Sequence, residues 1–166
     1  MRALASLVGL FAIVTAAALA ARVRADEKIA LTQVSEAVLN AAKARFPKAE
    51  LLSAEKEVDG GKTIYEITVK DNGQRADIEI SADCKILAVE KTIAIKKVPS
   101  AVLDTLKAKH PHATIKKAKQ IYKNDKLVAY ELVIAVSSDT SAELTFQPDG
   151  KLLEEEKKGA EHEDKK

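Results

Sequence analysis

Few side chains in this chain have the type and spacing to do chemistry. His110-Pro111-His112 places two imidazoles around a proline, where both could meet one ion. Zinc takes four ligands, or three and a water, and no third ligand accompanies this pair. His110 and His112 are therefore weak candidates, and the expected metal set is none. The plain reading puts His110 at the end of a helix, where positive charge is favoured, and His112 on the surface. Glu66 and Glu131 each follow a tyrosine. Paired carboxylates can perform acid–base catalysis, but alternation alone places these two on a solvated strand face. There is no Gly-x-Ser-x-Gly, no phosphate-binding loop and no His-Glu-x-x-His. The expectation is a protein that is not an enzyme and carries no cofactor.

Two further features bear on partners. Lys116-Lys117-Ala118-Lys119, with Lys123 nearby, reads as a charged edge strand that resists aggregation. The alternative is a contact for an acidic partner surface or anionic lipid. No aromatic residues interleave with these lysines, so nucleic acid is not expected. Cys84 is the single cysteine, which excludes an internal disulfide framework. Its functional reading is an intermolecular bridge in a dimer.

The 166 residues are 46% hydrophobic and 31% charged, with a formal net charge of +2. That balance excludes a strongly basic nucleic-acid binder and a strongly acidic tail protein. Aromatics are 4%, with no Trp, against a stacking platform for single strands. The length allows one domain or two small ones.

Arg2 followed by the uncharged run Ala3–Ala21 reads as a secretory signal peptide over residues 1–25. Small residues permit cleavage after Ala20 or after Ala25. The second is favoured, because the strongly polar mature chain begins at Asp26. The alternative is an uncleaved anchor, since the run approaches bilayer-spanning length. The expected location is periplasmic or secreted, with no membrane contact after the signal is removed. Loss of Arg2, Arg22 and Arg24 leaves 24 basic against 25 acidic residues, a net charge of −1. Val98–Leu153 then carries +2 and Glu154–Lys166 carries −2. Any electrostatic preference is expected to come from the second unit.

The mature chain repeats itself. Val34–Glu50 aligns with Val98–Thr114 at an offset of 64, with eight of 17 positions identical. The offset is 65 where Tyr65-Glu66 meets Tyr130-Glu131. It is 66 where Asp83-Cys84-Lys85-Ile86-Leu87 meets Asp149-Gly150-Lys151-Leu152-Leu153. The divisions are residues 26–97 for unit one, 98–156 for unit two and 157–166 for a charged tail. Disorder or fraying is expected from Glu154 onward.

Each unit changes period once. Val38, Leu39, Ala42 and Phe46 form a helical stripe that Pro47 ends; Val102, Leu103 and Leu106 form another that Pro111 ends. Alternation follows. Tyr65, Ile67 and Val69 share one strand face, and Ala76, Ile78 and Ile80 share another. Turn signals fall at Asp59-Gly60-Gly61, Asp71-Asn72-Gly73, Asp83-Cys84 and Asp149-Gly150. The expected fold class is α+β: two tandem repeats, each a helix packed on a four-stranded antiparallel β-meander.

The order Ala37-Val38-Leu39, Lys43-Ala44-Arg45-Phe46-Pro47-Lys48-Ala49-Glu50, Tyr65-Glu66-Ile67 and Asp83-x-Lys85-Ile86-Leu87 resembles the PepSY-like family. That family is also described as similar to the beta-lactamase inhibitory protein. The resemblance covers the mature chain once per repeat. It implies exported, non-catalytic binding or inhibitory modules, and a concave face built by two units. Two positions depart from the pattern. Cys84 replaces the turn glycine that unit two keeps at Gly150, and a residue there with positive φ would be strained. His110 replaces the Phe of the Phe-Pro pair.

The outer strand faces differ between units. Ile64, Glu66, Thr68 and Lys70 make a mostly polar face in unit one. Ala129, Glu131, Val133 and Ala135, with Leu127 before them, make a largely apolar one in unit two. Such a face is covered by unit one or a second copy, or it binds a partner. The residues assigned to a partner-binding face are Leu127, Ala129, Glu131, Val133 and Ala135. The expected function is an exported protein-binding module for an extracytoplasmic protein, in the form of an inhibitor or regulator of an enzyme such as a peptidase. The alternatives are a structural or sensory envelope module, dimeric through Cys84, and a metal-binding periplasmic protein.

Overall fold

A computed structural model describes residues 27–159. The signal-peptide reading lies outside the described residues, as does most of the charged tail. The strands are β1 (Glu27–Ile29), β2 (Glu50–Asp59), β3 (Lys62–Asp71), β4 (Gln74–Ser81), β5 (Ile86–Thr92), β6 (Thr114–Lys123), β7 (Lys126–Ala135), β8 (Thr140–Phe146) and β9 (Leu152–Gly159). Two ten-residue helices, α1 (Glu36–Arg45) and α2 (Ser100–Lys109), interrupt them.

Each strand pairs antiparallel with the next, giving one nine-stranded sheet in chain order. This overturns the expectation of two α+β units with a helix-plus-four-strand sheet apiece. The protein is mostly β, and β5 and β6 join the two halves through Val89–Thr92 and Lys119–Tyr122. A 60-residue unit buries too little surface to be firmly stable alone, and a shared sheet removes one open edge from each unit. β1 also adds a ninth strand, held by Glu27–Ile29 against Ala54–Lys56.

Both helices lie on the same side of the sheet. Ser35 caps α1 by accepting a hydrogen bond from the Val38 amide. The helices end alike, with Phe46 and His110 leaving the helix at near-identical backbone angles before their prolines. Val38 and Ala42 are buried on Ile67, Val69, Ile78 and Ile80. Val102 and Leu106 are buried on Leu132, Ile134, Leu144 and Phe146. Leu39 and Leu103 are only partly buried beside these cores.

The halves interlock on the helix side. Tyr122, from β6, packs against the first core, and Lys91 lies over its ring. Arg45 at the end of α1 is ion-paired with Asp125 in the β6–β7 turn. That turn, Asn124-Asp125, has positive φ at both central residues, the geometry that a two-residue hairpin requires. β9 carries the chain to Gly159, so Glu154–Lys157 lie in the sheet and not in a frayed tail. The reason is pairing with β8, which also brings Glu155 to the helix side beside His110.

Candidate functional site

The helix-free side of the sheet carries the candidate site. Residues paired across neighbouring strands share a face, so the register fixes which side chains meet there. Glu66 stands beside Glu55 and Glu79, Asp77 beside Thr68 and Glu90, and Lys119 beside Glu131. The seam between β5 and β6 therefore collects charge from both halves of the chain.

Lys119 is the centre of this cluster. Its Nζ lies 2.6 Å from Glu90 Oε2, 3.0 Å from Asp77 Oδ2 and 3.4 Å from Glu131 Oε1. Asp77 and Glu90 are each 5% exposed and Lys119 is 7% exposed, so the group is genuinely desolvated. Thr68 Oγ1 donates to Asp77 Oδ1 at 3.0 Å, and Lys117 Nζ stands 3.8 Å from Asp77 Oδ2. Ala88, Ile121 and Ala129 form a small buried apolar cluster on the same face. Their register places them next to Glu79, Glu90 and each other.

Burial and charge divide the titration behaviour. Burial disfavours the Lys119 ammonium, yet Glu90, Glu131 and Asp77 outweigh it and hold the pKa above the usual lysine range. Burial also opposes the Asp77 carboxylate, but Lys119 overcomes this by charge and ion pairing, and Asp77 stays below the ordinary value. Glu66 has no such partner. Burial pushes its carboxyl up to about 8 against the pull of Lys119, with Asp77, Glu90 and Glu55 adding repulsion. Burial and the Glu90 charge push Glu131 up to about 7, with Lys119 opposing.

These positions correct two expectations. Glu66 and Glu131 do not sit on a freely solvated face; both are half-buried on either side of Lys119. Their side-chain alternation was legible, but burial by neighbouring strands was not. The lysine run does not lie on an edge strand, because β6 is paired on both sides. Lys119 is neutralised within the sheet, so the run offers no uniform basic patch.

The other singled-out residues are dispersed. Ala129 is buried, Glu131 is half-buried and Val133 and Ala135 are half-exposed, all on the helix-free side. Leu127 is not with them. A bulge between Ile121 and Tyr122 pairs Leu127 with Tyr122, and Leu127 packs toward the second core on the helix side. Val133 stands between Lys117 and Glu143, so the apolar strip is flanked by charge. The first half lies beside this face and does not cover it.

His110 and His112 part company. His112 is exposed. His110 Nε2 is buried 3.1 Å from Glu155 Oε1 and makes no hydrogen bond. Among the described residues, no cluster of three or more His, Cys, Asp or Glu side chains could hold a metal ion. Cys84 is half-buried, packs against the first core and has φ of +64°, a left-handed turn conformation that its counterpart Gly150 also adopts, at φ +91°, without the strain of a side chain. A groove of about 370 Å³ opens on the first half of the helix-free side. Glu55, Glu66, Thr68, Arg75, Asp77 and Lys117 are among its walls.

Residues 34–83 match the family described as "Peptidase propeptide and YPEB domain". Residues 85–154 match the family described as beta-lactamase-inhibitor-like, PepSY-like. The chain is thus a tandem PepSY protein by its domains. It carries a PepSY domain followed by a PepSY-like one.

Solved structures share the fold at low identity. A DUF2874 family protein from Bacteroides uniformis is 13% identical, with a TM-score of 0.57 over 75% of this chain and 89% of that one. A BLIP-like protein from Bacteroides fragilis is 18% identical, with a TM-score of 0.52 over 80% and 91%. A Bacteroides eggerthii protein assigned to the periplasm is 14% identical, with a TM-score of 0.57 over 75% and 88%. No curated protein sequence matches the chain. Among the described residues, no helix is long and apolar enough to cross a membrane.

Proposed function

We propose that this chain is an exported, non-catalytic binding module that engages an extracytoplasmic protein through the helix-free side of its sheet. Inhibition or regulation of an enzyme such as a peptidase is the form this binding takes. The observation that carries the reading is the continuity of that side. Both helices are on the opposite side, and every strand pairs with the next across the two halves. A wide face that no helix covers among the described residues, with apolar side chains set among charges, has the makeup of a protein-contact surface. Val133 and Ala135 supply half-exposed apolar surface next to the Lys119 cluster.

Export is supported by the Arg2 and Ala3–Ala21 leader pattern and by the compartment assigned to the Bacteroides eggerthii structure of the same fold. The absence of nucleophile–base motifs in the sequence supports a binding role over a catalytic one.

Affinity capture from an envelope extract tests the reading, with the mature chain compared against Val133→Asp and against Glu36→Gln on α1. A protein captured by the mature chain and by Glu36→Gln, and lost with Val133→Asp at an unchanged melting temperature, is the expected result. An identical set of captured proteins for all three chains removes the helix-free side as the docking surface.

A further inference from the structure

The charges of this molecule are sorted by side. On the helix-free side, every strand from β2 to β9 except β6 contributes at least one carboxylate. The basic side chains described there are Lys28, Lys62, Lys70, Arg75, Lys117, Lys119, Lys123 and Lys126, against the carboxylates of Glu50, Glu55, Glu57, Glu66, Asp77, Glu79, Glu90, Glu131, Glu143, Glu154 and Glu156. Lys119 is already neutralised by Glu90, Asp77 and Glu131. On the opposite side, the last turns of the helices carry Lys43, Arg45, Lys107 and Lys109. The small net charge of the chain conceals an acidic side and a basic one.

We propose that the helix-free side docks a cationic protein surface, a lysine- or arginine-rich segment lying across the seam between β5 and β6. This deepens the binding reading above and rests on it. Three observations support the occupant. The face already binds one ammonium in a desolvated setting, with Lys119 held by three carboxylates within 3.4 Å. Glu66 and Glu131 flank that ammonium, Glu66 toward β2 and Glu131 toward β8. Each gains a counter-charge when a cation arrives. Val133 and Ala135, half-exposed beside this cluster, give aliphatic stems of lysine or arginine an apolar contact.

The size of the surface points to a macromolecule. Nine strands at about 4.8 Å spacing make it roughly 38 Å wide. Its groove is open and lined by both signs of charge, so a small cation would gain little there. Complementary charge of this kind steers encounter and selects partners, and it weakens with salt.

The test uses the mature chain and two labelled probes, deca-lysine and deca-glutamate, with binding read by fluorescence anisotropy. Deca-lysine is expected to bind, deca-glutamate is not, and affinity falls by at least about tenfold between low salt and 0.5 M. With all probes compared at pH 9, where both carboxyls are ionised and lysine keeps its charge, the double variant Glu66→Gln/Glu131→Gln removes flanking charge without leaving a buried ion unpaired, and it is expected to weaken deca-lysine binding about tenfold. The control Glu36→Gln/Asp104→Gln removes as much charge from the helix side and is expected to leave binding unchanged. Equal loss in both double variants means attraction to net charge alone and overturns the proposal. Sedimentation covers the remaining occupant: a dimer that dissolves in Glu66→Gln/Glu131→Gln shows a second copy on this face and also overturns it. If Val133→Asp abolishes partner capture while deca-lysine binds no better than deca-glutamate, the docking face stands and its cationic chemistry falls. If neither responds, both readings fall.

Discussion

Lys119 on β6 places its ammonium 2.6 Å from Glu90 on β5, an ion pair across the one strand pairing that joins the two halves. Both residues are nearly excluded from solvent. Removing one partner of a buried pair is costly because the other charge is stranded. Lys119→Met is therefore expected to cost about 3–5 kcal/mol at pH 7 by urea denaturation. The loss should shrink as pH falls toward about 5 and below, because the stranded carboxyls take up protons. An equal loss at all pH values would refute the role of the cluster.

Glu66 predicts the opposite sign. Its folded pKa of about 8 lies above the ordinary 4.5, so the folded state favours the protonated form. The associated stability is complete below pH 4.5 and is lost as pH rises through about 8. Glu66→Gln is fixed in the neutral form. It should match the parent chain near pH 4 and exceed it by about 1–3 kcal/mol near pH 9, allowing for partial solvent screening. Melting temperatures across that range decide the matter, and a gain at pH 4 would count against it.

Gly150 has φ of +91°, and a Cβ there would come within 2.4 Å of the Ala101 carbonyl oxygen at the start of α2. That neighbour is backbone and has little room to retreat. Gly150→Ala should destabilise by about 1–3 kcal/mol, from overpacking and from the left-handed backbone angle. Cys84→Ala, at the matching turn of the first half, keeps a Cβ where one already fits and should cost less. Thermal unfolding of the pair is the comparison.

Phe146 is fully buried among Leu132, Leu144 and the α2 residues Val102 and Leu106. Phe146→Ala should cost about 3–5 kcal/mol. Because the sheet is continuous, its denaturation should remain a single transition when followed by a probe in either half. Two separated transitions would show that the halves unfold independently.

The sequence by itself determined the local elements. Val38, Ala42, Val102 and Leu106 recur with helical spacing, Ile67 and Ile78 alternate as strand residues must, and Pro47 and Pro111 end the helices. The tandem motifs also carried the family. Three residues in β1 are too short for a periodic signal. The bulge that turns Leu127 from Ala129 leaves no mark in composition. Only the tertiary structure decided that β5 and β6 pair. That pairing merges two expected units into one sheet, moves the lysine run from an edge to the middle and surrounds Lys119 with Glu90, Asp77 and Glu131. The physical reason is distance along the chain. Asp77 and Glu90 precede Lys119 by 42 and 29 residues, and no local pattern records a contact made by folding alone.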